Sequence, residues 1–333
     1  MLNYCTLFNS LYLSRGLALY HSLLRSAKEF HLYIFAFDEE VFQILSAMKL
    51  KAVTVISLKD FETPALLQVK KQRTIAEYCW TCTSSTVLYC LEKYHLSDIC
   101  YLDADLYFWQ DPAILLEEAQ HDSILITEHR YTKEYDHSAV SGKYCVQFMY
   151  FKNDQYGLEA LRWWRDACIE WCYNRVEPGR FGDQKYLDDW LERFKKVKVL
   201  THLGGGVAPW NIQQYEVDST SKSSITLIKR DSKQKFDLIF YHFHGLKFVN
   251  QQIDFGTYKL SENVIKEIYE PYVKALFHGE QVLMAHKDIS VNLKSINLHC
   301  KATSKFSLRE YARNVKKKLL GIYNIFPAMS FRS

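Results

Sequence analysis

Short apolar runs of strand length alternate with amphipathic stretches from the first residues onward. Segments 4–9, 31–37, 53–57 and 99–103 are dense in Leu, Ile, Val, Phe and Tyr and predict buried strands. Between them, 15–24 sets Leu17, Tyr20 and Leu24 on one helical face, 39–48 predicts a second helix, and 66–94 is mostly helical. This alternation over short connections predicts an α/β fold, with a Rossmann-like, mostly parallel central sheet flanked by helices. Beyond the fourth strand the pattern loosens. Runs 123–127 and 146–151 predict strands separated by a polar loop, 128–143, placed as if to cover a site. A tryptophan-bearing helix over 158–173, a helix over 183–190 and a strand over 236–241 follow, with 218–235 a Ser/Lys-rich surface insertion. A helical pattern over 261–277 is interrupted at Pro271.

The fourth run leads into chemistry. Ile99-Cys100-Tyr101-Leu102-Asp103-Ala104-Asp105 is an apolar strand closing on two carboxylates spaced i, i+2. Strand alternation sends both to one face, at the sheet edge where open α/β folds bind ligands. Two hard oxygen ligands with room for phosphate oxygens suit Mg²⁺ or Mn²⁺ holding a diphosphate. The loop after the first strand, Asn9-Ser10-Leu11-Tyr12, opens on the same edge. Ser14-Arg15-Gly16 is no dinucleotide fingerprint and no Walker pattern occurs, which disfavours dehydrogenases and P-loop enzymes.

Three later stretches add candidates. In Phe181-Gly182-Asp183-Gln184 a glycine breaks the chain before a helix, and Asp183 is either its N-cap or a site carboxylate. In His202-Leu203-Gly204-Gly205-Gly206-Val207-Ala208-Pro209-Trp210-Asn211 the glycines would let backbone approach a ligand, and Trp210 and Asn211 would grip a sugar. The strand at 236–241 runs into His242-Phe243-His244-Gly245-Leu246-Lys247, where His242 and His244 share a face. An imidazole suits a third position on Mn²⁺, and Lys247 would offset phosphate charge.

Totals narrow the class. Among 333 residues, 48% are apolar, enough for a real core, and the 23 Tyr and 20 Phe fit a binding surface. A net charge of +4 does not mark a nucleic-acid binder, but the part from Lys301 on carries +7 and leaves −3 for the rest. Nine scattered cysteines, with Met1 running almost directly into a strand, predict a reducing, cytoplasmic setting and buried thiols. Cys79-Trp80-Thr81-Cys82 has no second CxxC to complete a zinc site. No apolar run reaches membrane-span length.

These pieces, taken in order, resemble nucleotide-sugar glycosyltransferases of the GT-A fold, and family 8 in particular. The resemblance runs from Tyr4 to about Lys247. It rests on Thr6-to-Tyr12, Tyr101-Leu-Asp-Ala-Asp-Leu106, Gly182-Asp-Gln184 and His242-Phe-His-Gly245. Cys5-Thr-Leu-Phe8 and the His202-to-Asn211 stretch are also similar to bacterial surface-polysaccharide transferases. The resemblance implies that Asp103, Asp105 and His242, with His244 as second choice, bind Mn²⁺ or Mg²⁺. It implies that Thr6, Asn9, Tyr12, Ala104 and Lys247 hold a nucleotide-diphosphate sugar, a UDP-sugar above all. Asp183 and Gln184 would be catalytic, and Gln147, Gly205, Gly206, Trp210 and Asn211 would meet the transferred sugar or the acceptor. Three departures stand out: Cys79-Trp80-Thr81 where the family has an arginine, Cys145-Val146-Gln147 where it has Asn-x-Gly, and one residue fewer between Gly245 and Lys247. Family 8 enzymes retain anomeric configuration. From the residues alone inversion stays open, with Glu128 or Asp183 as general base.

The chain is expected to divide into a catalytic domain, 1–260, and a helical region, 261–333. In the latter Leu308, Ala312, Val315, Leu319, Ile322 and Phe326 form one apolar stripe opposite Arg309, Arg313, Lys316 and Lys317. Such a helix suits either an anionic bilayer, with a lipid-linked acceptor at the cytoplasmic face of the inner membrane, or its own domain. Competing readings are a non-catalytic carbohydrate-binding protein on this fold and a sugar nucleotidyltransferase. The second needs a glycine-rich, basic N-terminal loop, and Phe8-Asn-Ser-Leu-Tyr12 is none.

Overall fold

The computed structural model describes residues 1–221, 224–249, 251–285 and 316–331. Strands β1 (Leu2–Phe8), β2 (Phe30–Ala36), β3 (Val53–Ser57), β4 (Asp98–Leu102), β6 (Ile124–Glu128), β7 (Tyr144–Lys152) and β8 (Val197–Val199) build one sheet in the order β3-β2-β1-β4-β7-β6-β8. All neighbours are parallel except around β7, which runs antiparallel to β4 and β6. The short β5 (Leu106–Phe108) stands outside this sheet. The predicted mostly parallel sheet is thus present, with one reversed strand at its centre.

Continuous apolar strands require cover on both faces, and two cores supply it. Tyr4, Leu32, Cys100 and Phe148 face helices Leu13–Ser26 and Glu39–Met48, while the next residues along, Cys5, Tyr33 and Tyr101, face helices Ile75–Lys93 and Gln155–Glu170. The stretch predicted as helical over 66–94 divides into Pro64–Lys70 and Ile75–Lys93. The break falls where Thr74 and Glu77 form a capping box, each side chain serving the other's backbone N–H.

Four expectations are corrected. Residues 218–235 are no plain insertion. They belong to an antiparallel meander of β9 (Tyr215–Thr220), β10 (Ile225–Lys229) and β11 (Lys235–Asp237), pinned by buried Ile225 and Leu227. The strand predicted over 236–241 splits into β11 and β12 (Phe240–His242), because the Ile239 carbonyl turns to accept from the Trp109 and Gln110 N–H groups. Pro271 interrupts nothing: a π-helical turn, Ile265–Tyr269, precedes it and Pro271 lies in the first turn of Glu270–Ala285, where a missing N–H costs little.

The fourth correction concerns the tail. Leu308, Ala312, Val315, Arg309 and Arg313 lie outside the described residues, but the stripe does not continue as a helix to Phe326. Gly321 takes φ +65°, and Ile325–Pro327 forms β15, which extends the hairpin of β13 (Lys247–Val249) and β14 (Gln252–Asp254). Phe326 and Phe331 pack on Phe255 at 5.2 and 5.9 Å, and Lys317 pairs with Asp254 at 3.2 Å. Removing 324–333 is expected to lower the thermal midpoint by several degrees, since buried Phe331 alone contributes roughly 1.5–3 kcal/mol. An unchanged midpoint in calorimetry would refute this docking. Among the described residues, no helix is long and apolar enough to cross a membrane.

Candidate active site

The carboxyl ends of the parallel strands meet the second half of the chain at one point. Asp103 follows β4, a tight turn closes with Leu106 N–H donating to the Asp103 carbonyl (3.2 Å), and β5 begins. β5 pairs antiparallel with β12, setting Leu106 opposite His242. That register carries His242 to the aspartates. Its Nε2 lies 3.1 Å from Asp105 Oδ1 and 3.8 Å from Asp103 Oδ2. Among the described residues, Asp103, Asp105 and His242 are the one group of metal-ligand type, with ligand atoms within 4.8 Å of one another.

The surroundings orient this group. On β7, Gln147 carbonyl accepts from Asp103 N–H at 3.0 Å, and Gln147 Oε1 accepts from His242 Nδ1–H at 2.8 Å. With Nδ1 committed as a donor, Nε2 is the ring atom directed between the carboxylates, where it can hold a proton or, once deprotonated, ligate a metal. Tyr101 hydroxyl donates to Asp103 at 3.1 Å. Burial pushes the Asp103 carboxyl up, His242 pulls it back and Asp105 adds to the rise, leaving it at about 6. Asp105 is buried too, yet adjacent His242 outweighs burial and holds it at about 2. For His242 burial works downward, but Asp105 wins and its pKa lies well above the usual imidazole range. A proton on Nε2 thus neutralises the carboxylates, and a divalent cation can do the same with more charge.

Asp183 reaches the same neighbourhood from below. Gly182, at φ +55° beside Trp80, turns the chain, and Trp164 Nε1–H donates to the Asp183 carbonyl at 2.9 Å. The helix that follows is a 3₁₀ turn, Lys185–Asp189, capped by Gln184 without a side-chain bond, so Asp183 is not its N-cap. Its carboxyl is 6% exposed and is raised to about 7, first by burial and then by Asp103, against the Thr83 hydroxyl and backbone N–H groups. Gln184 Nε2 donates to the Ser141 carbonyl at 2.8 Å, tying the 128–143 loop to this edge.

The remaining candidates divide. Thr6 is buried in β1 with its hydroxyl unpartnered, Asn9 opens the turn Ser10–Tyr12, and Ala104 is buried between the aspartates. Tyr12 stands 41% exposed at the rim, and the Asp105 charge, ahead of burial, lifts its hydroxyl to about 12. Lys247 is exposed at the start of β13. His244 is exposed, 5.7 Å ring to ring from His242, and outside the metal-type group.

The glycine run behaves differently from the expectation. A Cβ on Gly204 would sit 2.0 Å from the Asp237 carbonyl, one on Gly205 2.7 Å from Leu200, and one on Gly206 2.7 Å from Thr127 and Arg130. The close approach these glycines permit is to protein. Asn211 is fully buried, with Oδ1 accepting from Ala208 N–H and Nδ2 donating to the His129 and Gly206 carbonyls, so its amide is consumed internally. Trp210 donates to the His129 carbonyl and sets its ring edge-on to His242 at 5.3 Å. Both build the wall behind the imidazole.

Two arginines escaped sequence reasoning. Arg130, one of three Lys/Arg residues in the polar 128–143 loop, donates from inside the protein to the carbonyls of His202, Leu203 and Gly205. The segment it clamps leads to Val207, whose carbonyl accepts from His242 N–H at 2.9 Å. Arg15 donates to the Leu11 and Leu246 carbonyls and helps hold Asp105 ionised. Its signal was present: a cation inside the first helix's apolar stretch.

No family model matches the chain. The uncharacterized protein YfnD of Bacillus subtilis (strain 168) is 31% identical over 285 residues, covering 81% of this chain and 87% of that one. YfnF of the same organism is 30% identical over 288 residues, covering 82% and 89%. Among solved structures, the galactosyltransferase LgtC, in complex with donor and acceptor sugar analogs, superposes with a TM-score of 0.52 at 10% identity, over 83% of this chain and 96% of that one. That likeness is one of fold, and it is the GT-A-type fold expected from the sequence. At 31% identity to YfnD over 81% of this chain and 87% of that one, the protein belongs to the family of YfnD and YfnF.

Proposed function

We propose that the protein is a metal-dependent glycosyltransferase. It would move a hexose-type sugar from a nucleotide-diphosphate donor, a UDP-sugar first among them, to a saccharide or lipid-linked saccharide of the bacterial surface. The observation that carries this reading is the Asp103–Asp105–His242 group with Gln147 fixing the imidazole. Asp103, Asp105 and His242 would hold Mn²⁺ or Mg²⁺, and the bound cation would stabilise charge on the departing diphosphate. The C1–O bond to phosphate would break with its electron pair leaving on the diphosphate, and C1 would gain the acceptor oxygen as that hydroxyl passes its proton to the departing diphosphate. Tyr12 and Lys247 would meet the nucleotide diphosphate. Asp183 would stabilise positive charge at C1 in a retaining reaction, and the Gln184 amide oxygen would assist it.

A panel of nucleotide sugars, incubated with Mn²⁺ and with EDTA, tests this directly. Release of nucleoside diphosphate from one donor, present with Mn²⁺ and absent with EDTA, is the expected result; equal release in both would refute metal dependence. Gln147→Leu keeps the volume and removes the acceptor for Nδ1–H. It is expected to weaken Mn²⁺ binding about 10- to 100-fold by calorimetry, and unchanged affinity would dismiss the orienting role.

A further inference from the structure

A second cleft, of about 470 Å³, opens at the other end of β12 from the metal-type group. It lies where β11, the segment 201–203 and the helix Ala113–Leu116 come together, and none of Asp103, Asp105, Asp183 and His242 lines it. Its volume is within the range of small-molecule sites, roughly 300–1,000 Å³.

The lining is specific in chemistry. The two side-chain amides, Gln110 and Gln234, make no hydrogen bond among the described residues. His202 Nδ1 accepts from Gly204 N–H at 3.1 Å, which leaves the ring proton on Nε2 as a donor. Asp237 spends Oδ1 on the Thr226 hydroxyl and keeps its second oxygen. The charges are otherwise spent: Glu118 accepts from the Thr201 and His202 backbone with both oxygens, and Lys235 pairs with Asp218 at 2.8 Å. Beside these polar groups lie the half-buried Phe236 ring and Ile114, 37% exposed.

Such a lining selects its ligand by elimination. An anion would meet the open Asp237 oxygen, and among the described residues lining the cleft the one lysine, Lys235, is already held by Asp218. An apolar molecule would bury the two amides without partners, at a cost of roughly 1–3 kcal/mol each. An uncharged polyol satisfies every group, since adjacent hydroxyls donate and accept at planar amides and carboxylates while ring C–H groups rest on Phe236 and Ile114. We propose that the cleft is an accessory saccharide-binding site for uncharged sugar residues of the acceptor glycan. The acceptor role rests on the glycosyl-transfer reading above; the ligand class rests on the lining alone. Ile239 borders the cleft and His242 joins the metal-type group, three residues or about 10 Å along the chain.

The test uses the full-length protein on an array of immobilised neutral and acidic bacterial glycans. Wild type and Asp105→Ala are expected to retain the same neutral glycans, with EDTA present. The double variant Gln110→Ala/Gln234→Ala, which alters two surface-facing amides and no core residue, is expected to lose retention at least tenfold. It should still hydrolyse the donor within twofold of wild type. No neutral glycan retained, only acidic glycans retained, or retention indifferent to the double variant would each overturn the proposal. Retention that meets these expectations in a protein without donor hydrolysis would support the cleft and sink the transferase reading instead.

Discussion

Asp105→Ala is expected to abolish metal-dependent donor hydrolysis, by on the order of 10³-fold or more, about 4 kcal/mol of barrier. Three features make this the most sensitive position. Asp105 is the aspartate nearest His242, at 3.1 Å, and the one whose carboxyl stays ionised to about pH 2. Its backbone carbonyl also accepts from Phe243 N–H at 3.0 Å, so the main chain stays in place when the side chain goes. Loss of the carboxylate leaves Asp103 and His242 alone, with the imidazole's main reason for holding a proton removed. Manganese titration should show the affinity falling with the rate while the thermal midpoint without metal moves little. Hydrolysis by Asp105→Ala within tenfold of wild type would place the cation, and the reaction, elsewhere.

Asp183→Asn is expected to pull activity and stability in opposite directions. A carboxyl raised to about 7 in the folded protein binds a proton that the unfolded chain releases near 4. Between those values the folded state holds more protons, so stability falls as pH rises through this window, by at most about 4 kcal/mol. The neutral amide escapes that loss. Thermal midpoints in EDTA should therefore be similar at pH 4 and higher for Asp183→Asn than for wild type at pH 8. Transfer should drop on the order of 10²-fold or more if the ionised carboxylate stabilises C1. In wild type the rate should rise with pH up to about 7 at most, since a cation at Asp103 offsets the second of the two influences that raise this carboxyl. Equal midpoints at pH 8 would remove the electrostatic account; full activity in Asp183→Asn would remove the catalytic one. Natural sites often retain such destabilising groups because function needs them.

The parts of this site visible in sequence are those carried by local pattern. An apolar run closing on Asp103 and Asp105 marked the pair, although a tight turn after β4, not the two-residue strand repeat, brings them together, and His242 stood at the end of another run. What escaped was set by distant pairing. Gln147 was read as meeting a sugar, whereas its amide holds His242 from 95 residues away, through a β4–β7 pairing that no local signal reports. Three consecutive glycines looked like room for a ligand; the room is filled by Asp237, Leu115 and Arg130. Ile225 and Leu227 did alternate with polar neighbours, but Ser and Lys on both sides masked a three-residue signal. At the tail, Leu319, Ile322 and Phe326 satisfied a helical repeat that Gly321 breaks.

The last described strand has a consequence for how the molecule matures. β15 completes a three-stranded sheet whose other edge begins at Lys247. On the ribosome, β13 and β14 emerge long before residues 325–327 exist, so the hairpin beside the site waits with an open edge until the outer strand arrives. Nascent chains stalled before that strand would have every catalytic candidate already synthesised, yet an unfinished support beneath Lys247. Competence would come with the arrival of a strand that contributes no side chain to the chemistry.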